Sequence, residues 1–204
     1  MTESSSRARL LSYWPVVAAL VVAVLVTRVV AGQYDVTGHA AGHLSSGLVV
    51  FMMAAFLVIG LWAAPEARRS WAVGLASLGY FVGLGIILRG ELRVVDAIGD
   101  RDWSDDQASA LGEAVPGFES GHSLTGRGAL IAVLASIVLI WVLRSRRAIP
   151  TGLAVGATVA SVIFPYWILP GAGVLVLAIG TVVLRARRLR GAGPTAPATV
   201  AAVG

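Results

Sequence analysis

The chain has 204 residues, 57% of them apolar and only 13% charged, and its mean hydropathy is +0.82. Soluble domains carry about 25% charged residues, so this composition excludes a water-soluble enzyme, a disordered chain and a nucleic-acid-binding domain. The net charge is +5 and every basic residue counted at neutral pH is arginine, but the arginines sit at the ends of apolar runs and form no continuous stripe. Cysteine is absent, which excludes disulfides, thiolate metal ligands and thiol catalysis. The absence of lysine excludes Schiff-base chemistry.

A bilayer core about 30 Å thick takes about 20 apolar residues in a helix. In chain order such runs fall at 10–31, 44–64, 71–88 and 124–143, the first broken only by Arg28. The segment 10–27 exceeds the about 7–15 apolar residues of a signal peptide, so this helix is expected to be retained despite the cleavage-like Val29-Val30-Ala31. Residues 148–184 are uncharged and too many for one span. Pro165, Tyr166, Trp167, Pro170 and Gly171 divide them at a turn suited to a membrane surface. The predicted fold is therefore all-α: a polytopic membrane helix bundle of six transmembrane helices, one domain over 1–190. Its fifth and sixth spans, 148–164 and 168–184, are short, and a re-entrant hairpin is the competing form of this pair. Residues 191–204 carry no charge and little but Gly, Pro, Ala, Thr and Val, which predicts a disordered cytoplasmic tail.

Arginine placement sets the orientation. Arg7 and Arg9, Arg68 and Arg69, Arg144, Arg146 and Arg147, and the run from Arg185 to Arg190 all fall on one side if six helices alternate. By the positive-inside rule both termini are cytoplasmic and the connection 89–123 is external. Eight acids lie between Gly90 and Gly121 against Arg93 and Arg101. Within this connection Ser104 and Gln107 form a capping-box pattern, which predicts a short amphipathic helix over Ser104–Val115.

Small residues mark helix faces that permit close packing in lipid. They are Gly79-xxx-Gly83 in span three, Gly152-xxx-Gly156 with Ala160 in span five, and Gly121, Thr125, Gly128 and Ala132 in span four. Such faces serve either the bundle itself or contact with another membrane protein or a second copy.

All three histidines map to the external ends of helices. His39 and His43 are four apart and share a face if helical, and His122 opens span four. Three imidazoles are enough for a zinc-type site, so a divalent metal is the cofactor this set would take. The competing reading has the rings capping helix ends and hydrogen-bonding at the headgroup level. Arg28, Arg89 and Arg127 near the same rim form a candidate clamp for an anionic lipid or isoprenoid, against simple snorkelling of each. Asp35, Glu91 and His122 are the candidates for general acid–base work.

Ser120-Gly121-His122 resembles the central motif of type 2 phosphatidic acid phosphatases. That family also has an upstream lysine motif and a downstream nucleophilic histidine; this chain has no lysine and no histidine after His122, so membership is rejected. Gln33-Tyr34-Asp35, Ser45-Ser46-Gly47 and His122 together resemble an uncharacterised family of small bacterial integral membrane proteins, a domain of unknown function. The resemblance implies six helices and supplies no activity. Abundant Ala, Val, Gly and Arg without Lys is similar to proteins of high-GC bacteria, which points to a bacterial plasma membrane. Two functions stay open: a multi-pass protein with an outward His/Arg/acid site for a metal or an anionic lipid or isoprenoid, and a non-catalytic assembly partner or regulator acting through glycine-rich helix faces.

Overall fold

The computed structural model describes residues 13–65, 69–99, 106–107, 115–163 and 171–191. These form six helices in order: α1 Trp14–Ala31, α2 Gly38–Ala63, α3 Trp71–Ile98, α4 Phe118–Ser145, α5 Thr151–Ile163 and α6 Ala172–Gly191. The first four are each long and apolar enough to cross a membrane. The chain is an all-α, multi-pass integral membrane protein. The 164–170 turn, the 191–204 tail beyond Gly191 and most of the Ser104–Val115 helix lie outside the described residues. Asp106 and Gln107, from that helix, are helical.

Local chemistry fixes several helix ends. Pro15 opens α1, where a missing N–H costs nothing. Gly99 ends α3 at φ 64° and Gly117 precedes α4 at φ 105°, conformations that a side chain would strain.

Three helices outrun their apolar runs. Helix α2 begins at Gly38, six residues ahead of Leu44; α3 continues ten residues past Leu88; α4 begins at Phe118, six ahead of Leu124. The connection predicted over 89–123 is therefore helical at both flanks. One polar pair in these extensions, His43 and Glu91, bonds across α2 and α3, while Arg89, Arg93 and Asp96 are exposed. With 28 residues each, α3 and α4 are about 42 Å long, which takes their ends through the about 30 Å core into the headgroup level.

Helices α3 and α4 pack backbone against backbone, antiparallel. A Cβ on Gly83 would lie 2.6 Å from the Ala132 amide nitrogen, and one on Gly128 would lie 2.7 Å from the Gly83 carbonyl oxygen. Further along, a Cβ on Gly90 would meet the Gly121 carbonyl at 2.7 Å. The small faces predicted for spans three and four thus meet each other inside the chain. The face predicted for span five does not: Gly152 and Gly156 are exposed with nothing within 4 Å, and α5 instead buries Ala154, Ala157 and Ser161. Larger side chains fill the rest of the core, among them Tyr80, Leu57, Leu139, Ile140 and Leu143, all fully buried.

Helices α5 and α6 pack antiparallel, with Gly173 against Ala157 and Ser161 and Gly180 against Leu153. Ser161, near the end of α5, has its hydroxyl 3.4 Å from that of Ser136 on α4. Gly171, just before α6, is so close to Met53 that a Cβ there would lie 2.6 Å from the Met53 Cγ. Met53 lies ten residues, about 15 Å, from the Ala63 end of α2. Helix α5 has only 13 residues, about 20 Å, against a core of about 30 Å. At its far end α6 is tied back to α2, because the Arg185 guanidinium donates to the Trp62 carbonyl at 3.1 Å and lies 4.2 Å above the Trp62 ring centroid. Arg69, Arg144, Arg146, Arg147 and Arg185 gather at this end, and the histidines lie at the other.

Candidate functional site

At the histidine end, α2 presents His39 and His43 one turn apart and α3 brings Glu91 opposite them. The His43 Nδ1 is 2.6 Å from a Glu91 carboxylate oxygen. Both residues are buried, Glu91 at 2% and His43 at 6% exposure. Gly47, one turn below His43, makes the approach possible: a Cβ there would lie 2.9 Å from the Glu91 Cβ. The carboxylate accepts from His43 Nδ1–H, which directs the other ring nitrogen away from Glu91.

That second nitrogen meets His39. The two Nε2 atoms are 3.0 Å apart, with ring centroids 4.7 Å apart and nearly perpendicular. His122, in the first turns of α4, packs against His43 at 5.0 Å between centroids and 90° between planes. Its Nδ1 is 3.0 Å from the Phe118 carbonyl, which can only accept, so Nδ1 carries the hydrogen. In the neutral ring Nε2 then holds the lone pair. The Phe118 ring packs 4.5 Å from His122 and walls the cluster on its apolar side.

The structure therefore unites the three sequence-predicted metal ligands and adds Glu91, one of the candidate acid–base residues, through His43. Among the described residues no set of three or more His, Asp or Glu side chains already converges on one metal position. Two imidazole nitrogens face each other, and His122 is the third ring beside them. Beneath the cluster, the Thr125 hydroxyl is buried without a hydrogen-bond partner among the described residues.

The remaining candidates are placed elsewhere. Asp35 is exposed in the connection between α1 and α2. The three arginines grouped as a clamp are not drawn together. Arg28 lines a cavity of about 250 Å³ between α1 and α2, and Arg89 lines a different one of about 430 Å³ on α3. Arg127 is exposed on α4 and lines neither. Sequence reading places Arg89 and Arg93 together at the outer end of span three, and missed that Asp96 and Tyr34 join them in one cavity. The i, i+4, i+7 spacing of Arg89, Arg93 and Asp96 was the signal for Asp96.

No protein-family model matches the chain, and neither the characterised proteins nor the solved structures include a significant match. The resemblance to a family of small bacterial membrane proteins thus has no match behind it. What the fold and site define is a class: a multi-pass membrane helix bundle with a buried carboxylate–histidine pair at one end.

Proposed function

We propose that this bundle binds a divalent metal ion of the zinc type at its histidine end, through His39, His43 and His122. The observation that supports this reading is the facing pair of ring nitrogens on His39 and His43, with the His122 ring packed beside them. Zinc–nitrogen bonds of about 2.0–2.1 Å at a tetrahedral angle put two imidazole centroids about 5.1 Å apart and their nitrogens about 3.4 Å apart. The centroid separations here are 4.7 Å and 5.0 Å, and the Nε2 atoms need to part by only a few tenths of an ångström from 3.0 Å. The outer contacts also suit a metal. Glu91 holds His43 by Nδ1, and the Phe118 carbonyl holds His122 by Nδ1, the arrangement that orients ligating histidines and raises their basicity.

Three neutral histidines leave a fourth tetrahedral position, and a bound zinc ion lowers the pKa of water there to about 7. Glu91 serves as the orienting carboxylate, since its contact is with His43. Orientation follows the charges: the arginine end faces the cytoplasm of a bacterial cell and the site faces outward. The hairpin α5–α6 enters from the arginine end and turns back near mid-depth. For the alternative role as an assembly partner, the glycine faces of α3 and α4 are occupied by each other, which leaves the exposed Gly152–Gly156 face of α5.

Metal analysis of protein purified in detergent and equilibrated with zinc tests the reading. About one zinc per chain is expected for the wild type, with stoichiometric metal lost in His39→Ala, His43→Ala and His122→Ala. Glu91→Gln should weaken binding by about 10–100-fold. A well-folded wild type that leaves gel filtration metal-free would overturn the proposal.

A further inference from the structure

On the outer face of α3, away from the histidines, a cavity of about 430 Å³ is lined by Arg89, Arg93, Asp96 and Tyr34 above Gly85 and Leu88. The depth order is informative. Trp71 opens α3 at the arginine end, and about 20 residues from it cross the core, so Arg89 and Arg93 sit where hydrocarbon gives way to headgroups. Gly85 lies one turn deeper and Asp96 nearly one turn further out. Among the described residues neither guanidinium has an ion pair with a carboxylate; the ion pair seen is the imidazole–carboxylate contact of His43 and Glu91. Arg89, Arg93 and Asp96 are all exposed.

We infer that this cavity binds the headgroup of a zwitterionic aminophospholipid, with its phosphate on Arg89 and Arg93 and its primary ammonium on Asp96. Two arginines one turn apart match the phosphate oxygens as paired donors. A carboxylate about 4.5 Å further along the axis than Arg93 meets an ammonium that a phosphoethanolamine group places outward of its phosphate. A purely anionic headgroup would satisfy the arginines but leave Asp96 facing a negative ligand. Leu88 and the open surface at Gly85, where nothing lies within 4 Å, take the acyl chains. Tyr34 supports the polar end. Burial, and then the neighbouring Asp96 carboxylate, push its phenol above the usual range, so it stays protonated and able to donate. None of these residues belongs to the histidine cluster, so this inference stands apart from the metal reading.

The test is native mass spectrometry of the detergent-purified chain with equal amounts of phosphatidylethanolamine, phosphatidylcholine and phosphatidylglycerol of identical acyl composition. The wild type is expected to retain phosphatidylethanolamine about tenfold over the other two, since only its primary ammonium brings both positive charge and N–H donors to Asp96. Asp96→Asn should abolish that preference, and Arg89→Gln/Arg93→Gln should lose all three lipids while eluting as a folded species. Equal retention of the three lipids by the wild type, or unchanged retention by the double variant, overturns the inference. Displacement of the lipid by millimolar inorganic phosphate alone would make this a free-anion site and also overturn it.

Discussion

His43 on α2 and Glu91 on α3 lie 2.6 Å apart through Nδ1 and a carboxylate oxygen, both buried, at the histidine end of the bundle. A buried pair of this kind is costly to desolvate and contributes little net stability, and its main consequence is that neither partner tolerates the loss of the other. Removing His43 as alanine leaves Glu91 uncompensated, at a cost of about 3–5 kcal/mol. Glu91→Gln keeps a hydrogen-bond acceptor and should cost less. The apolar double variant His43→Leu/Glu91→Met should recover most of the loss. Thermal unfolding in one detergent separates the three, and equal midpoints for His43→Ala and the double variant would contradict the pairing.

Glycines on α3 and α4 differ sharply in what a methyl group would meet. Gly83→Ala places a Cβ 2.6 Å from the Ala132 backbone nitrogen, which cannot move independently of α4. Overpacking of this kind costs about 1–3 kcal/mol. Gly85→Ala, two residues away, meets nothing within 4 Å and should be neutral or slightly stabilising, since alanine favours helix over glycine by about 1 kcal/mol. A thermal midpoint lowered in the second variant as much as in the first would rule out the α3–α4 contact described here.

The absence of cysteine makes the hairpin depth measurable. Single cysteines at Ala172, beside the Met53 level, and at the exposed Ser123 give clean probes for a membrane-impermeant maleimide. In intact cells Ser123→Cys should label from outside. Ala172→Cys should resist reagent from either face of the membrane, as a position about 15 Å below the Ala63 end requires. Rapid labelling of Ala172→Cys from outside would mean that α5 and α6 cross completely.

Much of the architecture was legible in the residues. Uncharged runs locate α1 to α4 because hydrocarbon tolerates little else, and the i, i+4 spacing places His39 and His43 on one face. The small face of span four was legible for the same geometric reason. Hydropathy stopped α3 at Leu88 because Arg89 and Glu91 read as the end of a span. Only the register of α2 against α3 reveals that Glu91 is buried on His43. The same limit hid the grouping of Tyr34 with Asp96, which are 62 positions apart in the chain. Gly152 and Gly156 misled in the opposite direction, since a spacing that permits close packing does not say which neighbour arrives.

The most direct measurement is the visible ligand-field absorption of Co²⁺ titrated into the metal-free protein in detergent. Three histidine ligands should give the intense bands of a tetrahedral ion, saturating at one equivalent and lost in His122→Ala. His122 supplies the third nitrogen, without which only the facing pair of His39 and His43 remains, so its variant discriminates best. A spectrum that stays that of octahedral aqueous Co²⁺ in the folded wild type would contradict the metal site at its root.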